Sequence, residues 1–96
     1  MSVRITCINK DGGNHSNSHE AITHLGWRNE GTNESGKCTR AQMVDFIEKG
    51  NKAYTKDSSG NKAYLVVRIS HSGNKYVKTV ADGTETDNLL HLPECI

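Results

Sequence analysis

Three near-copies of one word, Gly50-Asn-Lys-Ala-Tyr54, Gly60-Asn-Lys-Ala-Tyr64 and Gly73-Asn-Lys-Tyr-Val77, constrain the fold of this chain more than any other feature. Their spacing, ten residues and then thirteen, suits an antiparallel meander. Gly-Asn permits the positive φ a tight turn demands, and the lysine opens the strand that follows. The pattern predicts strands near 52 to 55, 63 to 70 and 75 to 81. A true structural repeat is a poorer reading, because ten residues cannot build a helical unit.

Upstream, Val3, Ile5 and Cys7 alternate with Arg4 and Thr6, the period of a half-buried strand over 3 to 8, closed by Asp11-Gly12-Gly13-Asn14. Ser18 stands where an N-cap would, and Ile22 with Leu25 forms an apolar pair three apart before Gly26, which predicts a short helix over 19 to 25. Residues 28 to 37 hold no large apolar side chain and read as an exposed, mobile loop. Thr39-Arg-Ala-Gln42 is a capping box with Cys38 and Met43 at the staple positions. Met43, Val44, Phe46 and Ile47 then form one apolar stripe, so a helix is expected over 39 to 49, ending at Gly50. The expected fold is α+β: a small antiparallel sheet of about four strands in the order β-α-α-β-β-β, with both helices on one face. Leu89, Leu90 and Leu92 would cover an edge or the open end of the core.

The 96 residues fit a single domain, 1 to 96, with a thin core and little room for a deep substrate cavity. Apolar content of 33% is low, which places long polar loops between the periodic segments. The first residues lack the apolar run of a signal peptide, and no stretch is long enough to span a membrane. Cys7, Cys38 and Cys95 are an odd count without close spacing, so reduced thiols and a cytoplasmic location are expected. Net charge is +1 but uneven: residues 51 to 80 carry six basic groups against Asp57 alone, and residues 81 to 96 carry only acids. A tail folded back over the basic strands would cancel much of that field.

No coherent catalytic set emerges, so the chain reads as a non-enzyme without a cofactor. His15, His19 and His24 lie near Glu20 and are the first metal candidates. On a helix, however, His19 and His24 would point about 140° apart, so no metal site is expected. Gly12-Gly13 lacks the lysine and spacing of phosphate-binding loops, and no calcium-loop pattern surrounds Asp82 and Asp87. No cysteine sits in a local nucleophile signature.

One surface is chemically suggestive. If strands 63 to 70 and 75 to 81 pair around a loop of Ser72 to Asn74, Arg68 faces Lys78, and Tyr64, Tyr76, Val66 and Val80 share that side. Leu65, Val67 and Ile69 then lie opposite. Aromatic and basic groups on an open sheet stack and neutralise single-stranded nucleic acid. A two-residue turn would shift the register by one and dissolve the platform.

The order Ala81-Asp-Gly83, Asp87-Asn-Leu-Leu90 and Leu92-Pro-x-Cys95, with Ile5-Thr-x-Ile8, His19-Glu20-x-Ile22 and Leu25-Gly26-Trp27, resembles the domain of unknown function 3892 family. The resemblance implies kinship with small bacterial and phage or mobile-element proteins and supplies no catalytic residues. The resulting expectation is a non-catalytic interaction protein, a phage or mobile-element accessory factor that inhibits a host defence complex such as CRISPR-Cas by occupying its surface. Its partners would be a host or phage protein complex. The alternative is a nucleic-acid or nucleotide-binding module using the basic, tyrosine-bearing sheet face. Interface candidates for the two readings are Trp27, Arg28, Tyr54, Tyr64, Arg68, Tyr76 and Lys78.

Overall fold

The computed structural model describes residues 2–12 and 18–95. Its strands are β1 (Ser2–Lys10), β2 (Ile22–Arg28), β3 (Ser35–Thr39), β4 (Lys52–Lys56), β5 (Lys62–Ile69), β6 (Lys75–Ala81) and β7 (Thr84–Thr86). One α-helix, α1 (Arg40–Glu48), and two 3₁₀ turns, Ser18–Ala21 and Asn88–His91, complete the order. The strands form one sheet, β3-β2-β1-β4-β5-β6-β7. The expected four-stranded antiparallel sheet with two helices is therefore corrected to a seven-stranded mixed sheet with a single α-helix.

The helix expected over 19 to 25 is where the reading failed. Only Ser18–Ala21 turns, and Ile22–Arg28 is strand. Lys10 pairs with Ile22 but Asn9 with His24, so Thr23 is an extra residue in β2. Such a bulge shifts the alternation by one, so Ile22 and Leu25, three apart, both become fully buried. A bulged strand thus imitates the helical i, i+3 pair. A second bulge acts at Thr6, where Ile5 pairs with Trp27 but Cys7 with Gly26. Beyond it Ile8, not Cys7, faces the core.

The loop expected over 28 to 37 is likewise shorter. Asn29 to Glu34 form a hydrogen-bonded turn, with Asn29 N–H donating to Glu34 O (2.7 Å) and Asn33 in the left-handed region. Ser35–Thr39 then pairs with β2 as an edge strand. The strand carries no large apolar residue because its partner supplies one. The Trp27 ring lies over Gly36, where a Cβ would approach it to 2.9 Å.

The capping box is present as read. Gln42 N–H donates to Thr39 Oγ1 (3.1 Å) and Thr39 N–H to Gln42 Oε1 (2.9 Å). Met43 and Val44 are buried, and α1 touches β2, β3, β4, β5 and β6, so the sheet curls around it. The helix also carries the chain from the β3 edge across to the far side of β1. Hence β4 arrives parallel to β1, pairing Ser2 with Lys52 and Arg4 with Tyr54.

The meander stands close to the expected positions, and Gly50, Gly60 and Gly73 all have positive φ. The β5–β6 loop is 70 to 74, longer than the loop of Ser72 to Asn74 considered above. It is closed by Ser70 N–H to Asn74 O (2.9 Å) and Gly73 N–H to Ser70 O (3.0 Å). At the C-terminus Leu89 is fully buried, and Pro93 and Cys95 pair with Ile8 along the stretch of β1 that β4 leaves open.

Cys7 and Cys95 form a disulfide, with Cα atoms 4.9 Å apart and a sequence separation of 88. The expectation of three free thiols is corrected; Cys38 alone is free. The bond passes directly over Gly26, where a Cβ would overlap Cys7 Sγ and lie 3.0 Å from Cys95 Sγ. The glycine read as a helix stop is in fact the space the disulfide occupies. Among the described residues no helix is long and apolar enough to cross a membrane.

Candidate nucleic-acid interface

Directly paired strand residues share a face, so the registers define the two sides of the sheet. Val3 with Ala53, Leu65 with Thr79 and Val67 with Val77 lie on the side packed against α1. On the other side one continuous row crosses six strands: Arg28, Arg4, Tyr54, Tyr64, Val80 and Glu85. The pairs Ser2–Lys52, Lys56–Lys62, Val66–Lys78 and Arg68–Tyr76 flank it on the same side.

Of the seven residues singled out from the sequence, Arg28, Tyr54, Tyr64, Arg68, Tyr76 and Lys78 fall on this one face. Trp27 does not. It pairs with Ile5 on the core side and is half-buried against the hydrophobic cluster. The cross-strand partners also differ from expectation: Arg68 faces Tyr76 and Lys78 faces Val66. The longer loop moves the register by an even step, so partners change while faces do not.

Sequence reasoning missed Arg4, Lys52, Lys56 and Lys62 as members of the site. The signal for two of them was in the repeated word: in Lys-Ala-Tyr the lysine and tyrosine are two apart, so in a strand they emerge on the same side. Lys62 Nζ sits 4.4 Å from the Tyr54 ring centre and Lys52 Nζ 5.9 Å from that of Tyr64. The two rings are 5.9 Å apart and tilted. The result is two tyrosines and two lysines interleaved across β4 and β5, an arrangement favoured by cation–π attraction.

By register eight cations occupy the face, Arg4, Arg28, Lys37, Lys52, Lys56, Lys62, Arg68 and Lys78. Two carboxylates answer them. Glu85 on β7 bonds Arg68 Nε at 2.9 Å and lies 3.6 Å from Lys78 Nζ, and the Arg68 hydrogen bond is the largest cause holding its carboxyl below the usual range. Among the described residues this is the point at which the acidic tail pairs with the basic strands. Glu30, from the β2–β3 turn, accepts from Tyr54 Oη (2.5 Å) and Lys56 Nζ (3.4 Å) and lies 3.9 Å from Arg4. The Glu30 hydrogen bond, aided by burial, pushes the Tyr54 phenol up to about 12, while Tyr54 foremost holds Glu30 down. Lys52 and Lys62 have no carboxylate partner among the described residues.

The tyrosines therefore divide the work. Tyr54 is buried and anchored, Tyr76 is half-covered with its ring centre 6.2 Å from that of His19, and Tyr64, 42% exposed, offers its ring to solvent. The α-helix α1 packs on the opposite face, and the 3₁₀ turn Ser18–Ala21 meets β6, where His19 lies against Tyr76.

The other candidates do not assemble. His19 is buried, which foremost pulls its pKa down, with Lys78 adding to the effect. His24 contacts the Thr23 hydroxyl at 3.0 Å on β2, and His15 lies outside the described residues. Among the described residues no three His, Cys, Asp or Glu side chains converge as a metal site would require.

A family model described as a protein of unknown function, DUF3892, matches residues 4–93, which spans nearly every element above. The chain belongs to the DUF3892 family. No curated protein and no solved structure matches it. The DUF3892 match runs from Arg4, in the basic row, through Pro93, beside the disulfide.

Proposed function

We propose that this DUF3892 protein is a single-stranded nucleic-acid-binding module that works through the open face of its sheet. The observation that carries the reading is the face itself: eight cations against two carboxylates, with the exposed Tyr64 ring beside Lys52 and Lys62. Strand cations would track phosphates while Tyr64 stacks a base, a combination that is tolerant of sequence. The face holds no acid–base pair aimed at a vacant site, so the reading is of binding without catalysis.

The rival reading, a blocker of a host defence complex, took Trp27, Arg28, Tyr54 and Tyr76 as its candidate anchors. With Trp27 on the core side, what speaks for a protein partner is the groove beside that ring. Cytoplasmic residence rested on free thiols and loses that ground with the Cys7–Cys95 bond, since such bonds are rare in reducing compartments. Blocking thiols in intact cells before lysis reads whether the bond is closed there.

The test is fluorescence-anisotropy titration of labelled oligo-dT and oligo-U across a salt series. If three to five cations meet phosphates, the slope of log K against log salt should be roughly −2 to −3.5. Lys52→Ala or Lys62→Ala should flatten it by about 0.7 each, and Tyr64→Ala should weaken binding by about 1–3 kcal/mol without changing the slope. No binding at low salt, or binding insensitive to these substitutions, would remove the proposal.

A further inference from the structure

The β3 edge offers a second surface, at the margin of the basic face and opening onto the core side of the sheet. β3 begins the sheet order and, among the described residues, pairs only with β2, so its outer backbone groups form an open edge. Beside it, under α1, lies a cavity of about 290 Å³ lined by Val3, Trp27, Cys38, Met43 and Phe46, with Lys37 and Gln42 completing the wall. Pockets for drug-sized ligands usually run from about 300 to 1,000 Å³, so this one suits a side chain or two better than a whole small molecule. An open edge strand next to a side-chain-sized apolar cavity is the arrangement by which domains take in an extended peptide.

We propose that β3 accepts an extended peptide segment of another protein as an added strand, with an apolar side chain in this cavity and an acidic one beside Lys37. The registers dictate that order. Gly36 and Cys38 lie on the face of Trp27 and Leu25, the cavity side, while Lys37 shares the other face with Gly26. A residue set opposite Lys37 therefore points away from the cavity, and its two sequence neighbours point towards it. The segment that fits carries a carboxylate flanked by apolar residues. Lys37 is exposed and has no carboxylate partner among the described residues, so it favours that charge. It also argues against a second copy of this chain. Antiparallel pairing of β3 about its midpoint would set Lys37 beside Lys37, and like charges directly opposite destabilise a strand pair.

The test uses ¹⁵N-labelled protein with its disulfide intact and two eight-residue peptides of alternating threonine and valine. One has a central leucine-glutamate-leucine; the other has lysine in place of the glutamate. The glutamate peptide should shift the amide signals of residues 35–39 and of Met43 and Phe46, and bind roughly three- to thirty-fold more tightly than the lysine peptide. Lys37→Glu, a surface change, should invert that preference. Tyr64→Ala should leave peptide binding unaltered, which separates this surface from the nucleic-acid reading. Absence of β3 shifts with either peptide, equal binding of the two, or β3 shifts that follow protein concentration alone would overturn the proposal.

Discussion

Replacing Gly26 with alanine should have opposite signs in two backgrounds. In the oxidised protein the new Cβ overlaps Cys7 Sγ and lies 3.0 Å from Cys95 Sγ, well inside the 3.5–4.0 Å at which such atoms attract. The sulphurs cannot simply withdraw, because Cys95 N–H is bonded to Ile8 O (3.1 Å) and Ile8 N–H to Pro93 O (3.0 Å). Overpacking of this kind costs about 1–3 kcal/mol. In a Cys7→Ala/Cys95→Ala chain both sulphurs are gone, and the nearest atom left is Thr6 Oγ1 at an ordinary 3.6 Å. There Gly26→Ala should stabilise by about 0.5–1 kcal/mol, the ordinary gain from replacing a strand glycine. The coupling between the sites is then about 1.5–4 kcal/mol. The sulphur-free reference starts lower, because opening a cross-link that spans 88 residues costs about 4.6 kcal/mol of chain entropy. Urea titrations followed by Trp27 fluorescence, with trimethylamine oxide in all samples to keep the weaker background folded, give all four stabilities. Equal effects of Gly26→Ala in both backgrounds would refute the packing argument, and three alkylatable cysteines in the unreduced protein would refute the bond.

Removing the helix cap by Thr39→Ala should cost about 0.5–2 kcal/mol, read as a lower urea midpoint at unchanged slope. Ultraviolet titration of the tyrosines should show one step near 12, and Glu30→Ala should bring that step back towards the ordinary value. Because the Tyr54 pKa is higher folded than unfolded, its contribution to stability is complete below about pH 10 and is lost as pH rises towards 12. Glu85→Gln should strengthen binding of single strands at low salt by releasing Arg68 and Lys78.

The parts of the fold that were legible are those where local chemistry and tertiary position agree. Thr39 and Gln42 specify their cap within four residues, and the Gly-Asn turns specify the meander through backbone freedom alone. β2 was misread because its apolar spacing is the product of a bulge, and a bulge is defined by a partner strand. The stretch with Ile22 and Leu25 carries no mark that distinguishes one turn of helix from an interrupted pleat. β3 was invisible for a related reason: its residues are exposed or half-buried, and Gly36 matters because the Trp27 ring of the neighbouring strand lies over it. The β5–β6 part of the basic face was legible, since parity survives a change of loop length by an even number, but Arg4, Lys52, Lys56 and Lys62 were not placed with it. Which cations remain unpaired was not legible either, because Glu30 reaches Arg4 and Lys56 from a turn that sequence reasoning treated as unstructured. The disulfide joins the two ends of the described chain, and no spacing rule foretells such a pair.

Single strands are proposed to lie on the face of the sheet away from α1. Mapping ¹⁵N amide shifts as oligo-dT is added to the oxidised protein at low salt tests it most directly. The signals of Lys52, Lys62, Tyr64, Val66 and Arg68 should move together and return as salt is raised, while those of α1 stay in place. Shifts centred on α1 and β3 with the β4–β5 signals unmoved, or no shifts at low salt, would contradict it.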